Sequence, residues 1–305
     1  MTKGGAVHTV TRLGAPFQVA LIGVGNMGGA MAAHLLAQGW PVRVCDLDRG
    51  KAQGFEAFGA LALETPAQAA IDSVAVIVCV VDAPQTEAVL FGEQGVAASL
   101  QPGQMVMLCP TIAPEHTEDF AQRLGERGIH TLDAPMSGGP ARARDGSMSL
   151  MLAGPDAVFE RFGALIEALS SKVFRISERA GDAARTKLVN NLLAGINLVG
   201  AAEAMAMAQR MGLDLGRTLD VIEQSSGQSW IGSDRMRRAI AQDYAPRAHM
   251  TLLEKDTRLA VAAARDAGFA GPLGAAARDV FASASAAGLD GLDDAALFDW
   301  LGRAT

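Results

Sequence analysis

Residues 17–39 carry the pattern that most constrains the fold: a buried strand, a glycine turn and a helix in direct succession. The strand FQVALIG runs into Gly23-Val24-Gly25-Asn26-Met27-Gly28, and the helical segment AMAAHLLAQ then continues to Gly39. In such a unit the first glycine permits a tight turn, the second lets the backbone approach a pyrophosphate, and the third lets the helix pack on the strand. The pattern predicts a dinucleotide-binding α/β unit.

An acidic residue stands where the ribose of a dinucleotide needs one. The next strand, VRVC, is followed by Asp46, 18 residues after Gly28, and a carboxylate at about that spacing accepts the ribose hydroxyls. Asp46 would repel a 2′-phosphate, so we expect NAD, whereas Arg43, Arg49 and Lys51 nearby leave NADP as the alternative. A glycine turn in a nucleotide-free domain is the competing interpretation, and Asp46 argues against it.

Strand and helix patterns alternate as far as residue 180. The strand-like segments ALAL, VAVIVCVV, QMVML, IHTLDAP, SMSLMLAG and KVFRIS are separated by helices such as 114–127 and 156–169. This alternation predicts an α/β fold with a Rossmann-type, doubly wound, parallel sheet in residues 17–180. Ligands of such sheets lie beyond the carboxyl ends of the strands, which directs attention to Val80, Val81, Thr111 and the loop 133–139.

The loop DAPMSGGP combines a hydroxyl and two glycines with a proline suited to the first turn of a helix. Exposed amides at Ser137, Gly138 and Gly139 would form a nest for an anion such as a substrate carboxylate. A purely structural Ser-Gly-Gly turn is an equally good interpretation of the local sequence.

One long helix is predicted at 182–211, between Gly181 and Gly212, and at about 1.5 Å per residue it spans roughly 45 Å. Apolar residues lie on nearly every side of it, so we expect a buried helix whose polar side chains are informative. Lys187 and Asn191 are four residues apart and therefore share one face. Burial lowers the pKa of a lysine, which lets it exchange protons near neutral pH. A solvated lysine near a helix start is the alternative, with equal weight from this stretch alone.

Strand signals stop after the long helix. Helical patterns at 214–225, at 250–267, from Pro272 and from Asp293 predict an all-helical second domain over residues 181–305, which includes the long helix. Lys255 and Asp256 fall within one of these helices, and a charge run of this kind is typical of a solvated face.

Residues 1–16 are small and polar without periodicity, and they predict a mobile arm.

Charge and composition exclude several classes of partner. A net charge of −7 and a pI near 5.3 argue against nucleic acid and against an anionic membrane surface. The longest apolar run, residues 74–81, is far shorter than the roughly 20 residues that span a bilayer, and no secretory apolar core begins the chain. We therefore expect a cytoplasmic protein without a membrane partner. Three cysteines and five histidines show no ligand spacing, so neither a metal site nor a disulfide framework is predicted.

Four segments, GVGNMGGAMA, DAPMSGG, GDAARTKLVNN and LLEKD, resemble in order and spacing the β-hydroxyacid dehydrogenase family, which includes the 3-hydroxyisobutyrate dehydrogenases. The resemblance covers residues 17–302. Within the family, VLFGEQGVA, KVFRIS, SSGQSWIGSDRM and FASASAAG are similar to the L-threonate dehydrogenases, and tartronate semialdehyde reductases are the next relatives. The family implies an NAD(P)-dependent oxidoreductase that acts on a small hydroxy acid and assembles as a homodimer or homotetramer.

Roles follow from the resemblance position by position. The cofactor-binding residues it implies are Gly23, Gly25, Asn26, Met27 and Gly28 for the pyrophosphate, Asp46 for the ribose, Val80, Val81, Gln85 and Thr111 for the nicotinamide half, and Lys255 from the helical domain. The substrate-binding residues are Ser137, Gly138, Gly139 and Asn191, and Lys187 is the catalytic proton-transfer residue.

Two segments depart from the family. Cys109-Pro110-Thr111 replaces small hydroxyl residues, and KLVNN matches the wider family rather than the threonate enzymes, which bears on substrate identity.

Two other functions compete with this one. A non-catalytic dinucleotide sensor would keep the glycine turn and Asp46 but need no buried lysine, and an imine or other carbonyl reductase of similar fold would use a different proton donor.

The resemblance ranks L-threonate or a similar four-carbon sugar acid first, glycerate with tartronate semialdehyde second and 3-hydroxyisobutyrate third. Polar side chains at 225–230 favour a polyhydroxylated substrate if that segment reaches it, because an unpaired buried polar group costs about 1–3 kcal/mol.

Overall fold

The computed structural model describes residues 11–303, so most of the expected arm, residues 1–10, lies outside the described residues. Within 11–16, the backbone N–H of Leu13 donates to the carbonyl of Arg161 at 3.0 Å. The chain divides into two compact units, of which the first ends at Lys187 and the second begins at Leu188. The division falls within one continuous helix, Asp182–Arg210.

The first unit is a nine-stranded sheet with helices. Its strands are β1 (Val19–Ile22), β2 (Val42–Cys45), β3 (Leu61–Ala62), β4 (Ala75–Val78), β5 (Met105–Leu108), β6 (His130–Asp133), β7 (Met136–Ser137), β8 (Ser149–Ala153) and β9 (Lys172–Ser177). Its helices are α1 (Asn26–Ala37), α2 (Arg49–Gln53), α3 (Pro66–Ala70), α4 (Ala83–Phe91), α5 (Pro114–Gly125), α6 (Gly139–Arg144) and α7 (Asp156–Leu169), followed by the start of α8 (Asp182–Arg210).

The sheet has the order β3-β2-β1-β4-β5-β6-β8-β7, with β9 paired to β8. The first six strands are parallel, β8 runs antiparallel to β6 and β7, and β9 is parallel to β8. Alternate residues of each central strand enter two separate hydrophobic clusters, as Leu21 and Ile22 do on β1. Because both faces are buried, the strands are almost continuously apolar, and this confirms the predicted doubly wound, mainly parallel sheet.

The second unit is helical. It contains the rest of α8, then α9 (Leu215–Glu223), α10 (Trp230–Ile240), α11 (Met250–Asp266), α12 (Pro272–Ala284) and α13 (Leu297–Arg303). In the described part of this unit the β-pairing is a single isolated bridge between His249 and Asp293. Helix α10 was not predicted from the sequence. Its signal is Ser229, whose hydroxyl accepts the N–H of Gly232 at 3.1 Å and caps the helix directly after the polar segment SSGQ.

Helix α8 begins at the predicted residue and ends at Arg210, one residue before the prediction. Among residues 11–303 it is the one helix that could cross a membrane by length and composition, and 39% of its most apolar window is buried. The core helix of a soluble protein passes the same test. Two polar side chains, Lys187 and Asn191, are buried on it, with 7% and 8% of their surface exposed.

Candidate functional site

The glycine turn between β1 and α1 contains two glycines that the chain itself requires. Gly23 has φ +89°, and a Cβ there would lie 2.6 Å from the carbonyl oxygen of Cys79. A Cβ on Gly28 would lie 1.9 Å from the carbonyl oxygen of Gly23. The backbones of β1, β4 and α1 therefore meet too closely at this point for any side chain.

Gly25 differs from its neighbours because nothing lies within 4 Å of the position of its Cβ. It is the N-cap of α1, and no side chain caps this helix. The free side of Gly25 and the N–H groups of the first turn leave room and donors for a negatively charged group. This arrangement fits the pyrophosphate of a dinucleotide.

Asp46, directly after β2, holds the glycine turn in place. Its Oδ2 accepts the N–H of Val24 at 2.7 Å, and its Oδ1 accepts the N–H of Asp48 at 2.9 Å. Each carboxylate oxygen can accept a second hydrogen bond, and Asp46 is partly exposed, so it can also receive ribose hydroxyls. The sequence indicated the second role and not the first.

The basic residues near Asp46 each lie close to an acid. Nitrogen–oxygen distances are 3.6 Å for Arg43 with Asp72, 3.1 Å for Arg49 with Glu64 and 3.8 Å for Lys51 with Asp48. These surface pairs reduce the positive potential available to a 2′-phosphate.

The segment after β4 is shaped by its own side chains. Asp82 caps α4 by accepting the N–H of Gln85 at 2.9 Å, and Oε1 of Gln85 accepts the N–H of Val81 at 3.2 Å. Val80 is partly buried and Val81 is 50% exposed. Gln85, implied by resemblance as a cofactor ligand, thus binds the backbone of Val81 in this structure. Thr111, which follows β5, is partly buried.

The Ser-Gly-Gly segment is fixed by the sheet. Ser137 ends β7 and pairs antiparallel with Ser149 of β8. Gly138 and Gly139 then have φ +128° and +74°, conformations that favour glycine. Nothing lies within 4 Å of the Cβ position of Gly139, so its backbone is open on that side.

The start of α8, which carries Lys187, is attached to β6 by Asp133. Oδ2 of Asp133 accepts the N–H of Gly181 at 2.9 Å and that of Ala184 at 3.0 Å. The side chain is 1% exposed, and burial raises its pKa to about 6 although the N–H donors oppose the shift. We expected ligand contacts throughout 133–139, but the carboxylate of Asp133 faces the helix N-terminus instead.

In the second unit, Asp256 connects two residues that the resemblance had singled out. Its Oδ2 lies 2.5 Å from Nδ2 of Asn191, and its Oδ1 lies 2.9 Å from Nζ of Lys255. Nδ2 of Asn190 donates to Oδ1 of Asn191 at 2.9 Å. The interpretation of Lys255 and Asp256 as a solvated face is wrong, because Asp256 is 7% exposed and α11 turns it toward α8. No local pattern revealed this, since Asn191 and Asp256 are 65 residues apart.

The three cysteines are free thiols at or after strand ends. Burial raises the pKa of Cys45 to about 11 and that of Cys79 to about 12, and it also raises the pKa of Cys109. Such thiols stay protonated at neutral pH and are weak nucleophiles. They pack as small apolar residues.

Comparisons with known proteins agree with this geometry. Residues 18–177 match the NAD-binding domain family of 6-phosphogluconate dehydrogenase, and residues 181–301 match the family described as NAD-binding of NADP-dependent 3-hydroxyisobutyrate dehydrogenase. The L-threonate dehydrogenase of Cupriavidus necator is 39% identical over 92% of this chain and 94% of its own. The 3-hydroxyisobutyrate dehydrogenase of Pseudomonas aeruginosa is 35% identical over 86% and 90%. A solved structure named 3-hydroxyisobutyrate dehydrogenase from Salmonella typhimurium has a TM-score of 0.88 at 35% identity, covering 93% of this chain and 100% of that one.

Proposed function

The chain belongs to the β-hydroxyacid dehydrogenase family that includes the 3-hydroxyisobutyrate dehydrogenases, and from this premise we propose that it oxidises a four-carbon sugar acid, L-threonate or a close analogue, with NAD. Its general activity is that of an NAD(P)-dependent oxidoreductase acting on the CH–OH group of a small hydroxy acid. What we propose beyond this is the substrate, the roles of the site residues and the preferred cofactor.

The burial of Lys187 carries the proposal. Only 7% of this lysine is exposed, although it lies in the second turn of a helix whose first turn is anchored to β6. Oxidation of a carbinol needs a group that takes the hydroxyl proton, and a buried lysine is suited to that task. A dinucleotide sensor needs no such residue.

The first unit supplies the proposed cofactor ligands. The pyrophosphate would lie on the backbone of Gly23, Gly25, Asn26, Met27 and Gly28 at the start of α1, and the ribose on Asp46. Val80, Val81, Gln85, Thr111 and Lys255 would contact the nicotinamide half. When bound, the dinucleotide supplies the carbon that accepts or gives the hydride.

The remaining chemistry falls to the chain's own side chains. Ser137, Gly138 and Gly139 would hold the substrate carboxylate through backbone N–H groups and a hydroxyl. Nζ of Lys187 would take the proton of the hydroxyl that is oxidised and return it in the reverse direction. Asn191, whose orientation is fixed by Asp256, would donate to a substrate oxygen.

One observation supports a sugar acid over 3-hydroxyisobutyrate. Five relatives that are 36–39% identical are all named L-threonate dehydrogenase, whereas the P. aeruginosa enzyme named for 3-hydroxyisobutyrate is 35% identical. The polar segment 225–229 adds no support, because residues 225–228 are exposed and the hydroxyl of Ser229 caps α10.

Steady-state kinetics with NAD on L-threonate, glycerate and 3-hydroxyisobutyrate test this ranking. We expect kcat/KM to fall in that order. A tenfold or greater preference for 3-hydroxyisobutyrate contradicts the ranking but leaves the assignments of the cofactor and of Lys187 intact. An enzyme active on imines and on none of the three acids contradicts the proposed function altogether.

We also propose a homodimer or homotetramer. Three apolar side chains of α8, Val189, Leu193 and Met207, are 58–71% exposed, and Met211, which directly follows the helix, is 65% exposed. These four side chains recur at spacings of four, fourteen and four residues. A stripe of this kind is typical of a surface that a second copy covers. Light scattering at micromolar concentration should give a multiple of 31.6 kDa, and a purely monomeric mass contradicts the proposal.

A further inference from the structure

Asp133 lies at a junction of the first unit. It is the last residue of β6, where it is paired with Leu108 of β5 and with Ala153 of β8. Four residues later in the chain comes Ser137, the first residue of the proposed substrate-carboxylate segment. One residue thus belongs to the sheet and also begins the loop that leads to the substrate.

The side chain of Asp133 extends this junction to α8. A single oxygen, Oδ2, accepts both the Gly181 N–H at 2.9 Å and the Ala184 N–H at 3.0 Å. These two groups flank the first turn of the helix, and Lys187 follows Ala184 by three residues, slightly less than one turn. Because both N–H groups donate to one atom, a displacement of that atom would move the whole first turn of the helix.

The surrounding contacts leave this start little freedom. Gly181 has φ +93°, and a Cβ there would lie 2.7 Å from Oε1 of Glu118, which itself pairs with Arg185 at 2.7 Å. Asp182 lies 2.8 Å from Arg179 and 2.7 Å from the hydroxyl of Ser177. Those partners are exposed or half-buried, whereas Asp133 is buried and anchors the helix from the sheet side.

We propose that Asp133 is the positioning residue for Lys187, acting through the oxygen that anchors the first turn of α8 beside the strand leading to Ser137. The inference rests on the proposed function, in which Lys187 exchanges the hydroxyl proton. Asp133 itself touches neither reactant, so its effect is on the rate of proton transfer and not on ligand binding. Reacting groups misplaced by about 1 Å can lose roughly 100-fold in rate.

Two substitutions separate the position of the acceptor from its charge. Asp133→Asn keeps an oxygen in place and removes the charge, whereas Asp133→Glu keeps the charge and moves the oxygen by one methylene. Thr131→Val is the matched control, because Thr131 is buried on the same strand and its hydroxyl has no hydrogen-bond partner among the described residues. Each full-length variant is assayed for kcat, substrate KM, NAD dissociation constant and hydrogen exchange of the amides at 181–187.

We expect Asp133→Glu to lower kcat by about 10- to 100-fold while the substrate KM and NAD dissociation constant change by less than about threefold. Amides at 181–187 should exchange faster in this variant. Asp133→Asn should keep kcat within about threefold of wild type with normal exchange, and Thr131→Val should match wild type.

Three results overturn the inference: a wild-type kcat in Asp133→Glu, an equal loss of kcat in Asp133→Asn, or a loss of kcat without faster exchange at 181–187. If Asp133→Glu does not fold, Asp133→Ser takes its place, because it withdraws the acceptor oxygen from both N–H groups; it should lower kcat and speed exchange at 181–187, and a wild-type kcat overturns the inference. Lys187→Ala separates a failure of the proposed function from a failure of the positioning role of Asp133. If Lys187→Ala stays active, the proposed function is wrong. If Lys187→Ala is inactive while Asp133→Glu is unimpaired, only the positioning role is wrong.

Discussion

Two aspartates at the carboxyl ends of parallel strands, Asp46 after β2 and Asp133 at the end of β6, perform related tasks in different surroundings. Each accepts backbone N–H groups and holds a neighbouring segment: Asp46 holds Val24 and Asp48, and Asp133 holds Gly181 and Ala184. Asp46 is partly exposed, whereas Asp133 is 1% exposed. Asp46 can therefore bind a ligand in addition, while Asp133 can act only through the segment it holds.

Under the proposed function, this difference would divide the first unit into a cofactor side, around Asp46, and a catalytic side, around Asp133 and Lys187. On the cofactor side a substitution should alter affinity for the dinucleotide. On the catalytic side it should alter turnover at saturating ligands.

The largest effect is expected for Lys187→Ala. Loss of the proton-transfer group should lower kcat by about 1,000-fold, since general acid–base catalysis contributes roughly 100- to 10,000-fold. The NAD dissociation constant, measured by quenching of protein fluorescence, should stay within about threefold of wild type.

Lys172→Ala is the control for Lys187→Ala, because Lys172 is an exposed lysine on β9 of the same unit. It should leave kcat unchanged. If Lys187→Ala keeps more than about a tenth of wild-type kcat, the catalytic side has been assigned to the wrong residue.

The second effect is expected for Asp46→Ala. This change removes the proposed ribose acceptor and the bond to Val24, and hydrogen bonds to a charged group contribute about 1.5–3 kcal/mol each. We expect kcat/KM for NAD to fall by about 30- to 100-fold, with kcat at saturating NAD changed by no more than about threefold.

Asp48→Ala provides the matched change on the cofactor side. The Asp48 side chain caps the short helix α2 by accepting the N–H of Gly50 at 3.0 Å and holds no part of the glycine turn. Its kcat/KM for NAD should stay close to wild type. A large fall in kcat for Asp46→Ala would erase the distinction between the two sides.

The same contrast explains what the sequence could predict. The glycine turn and Asp46 lie within one strand–turn–helix–strand segment, and their spacing reports their geometry directly. The sheet was also predictable, because buried parallel strands are short apolar runs separated by helices. Helix α8 was predicted to within one residue for a similar reason, since Gly181 and Gly212 mark its ends.

Contacts between distant segments were not predictable. Asp133 and Ala184 are 51 residues apart, and Asn191 and Asp256 are 65 apart. A sequence pattern reports periodicity within one element, but it carries no information on which element a buried carboxylate will face. This is why Asp256 resembled a solvated charge and Asp133 a member of a ligand loop.

The third prediction concerns cofactor preference. Asp46 should repel a 2′-phosphate, and the nearby cations Arg43, Arg49 and Lys51 each lie near an acid. We expect kcat/KM with NAD to exceed that with NADP by about tenfold or more. Glu64→Gln, which removes the acid beside Arg49, should narrow the ratio. Comparable kcat/KM values for the two dinucleotides in the wild type would contradict the role of Asp46.

The smallest effect is expected in the stability of Asp133→Asn. Burial raises the pKa of Asp133 from its ordinary value of 3.8 to about 6, so between these values the folded chain holds a proton that the unfolded chain releases. The stabilisation from that proton is present below pH 4 and is lost as the pH rises to 6, which amounts to about 3 kcal/mol at most. The other groups around it, Asp182 on α8 and the thiol of Cys109 after β5, stay in one charge state over most of this window.

The melting temperature of Asp133→Asn relative to wild type should therefore rise by several degrees between pH 4.5 and pH 7.5, since the amide does not titrate. Thr131→Val, measured in parallel, should show a difference from wild type that is independent of pH. A difference in melting temperature that does not change with pH would mean that burial does not destabilise the charged form of Asp133. The two aspartates would then differ less in their electrostatics than the structure indicates. A rising difference would show that the charge on Asp133 costs stability at neutral pH. In that case the acceptor oxygen at the start of α8, and not the charge, is what this position contributes to the fold.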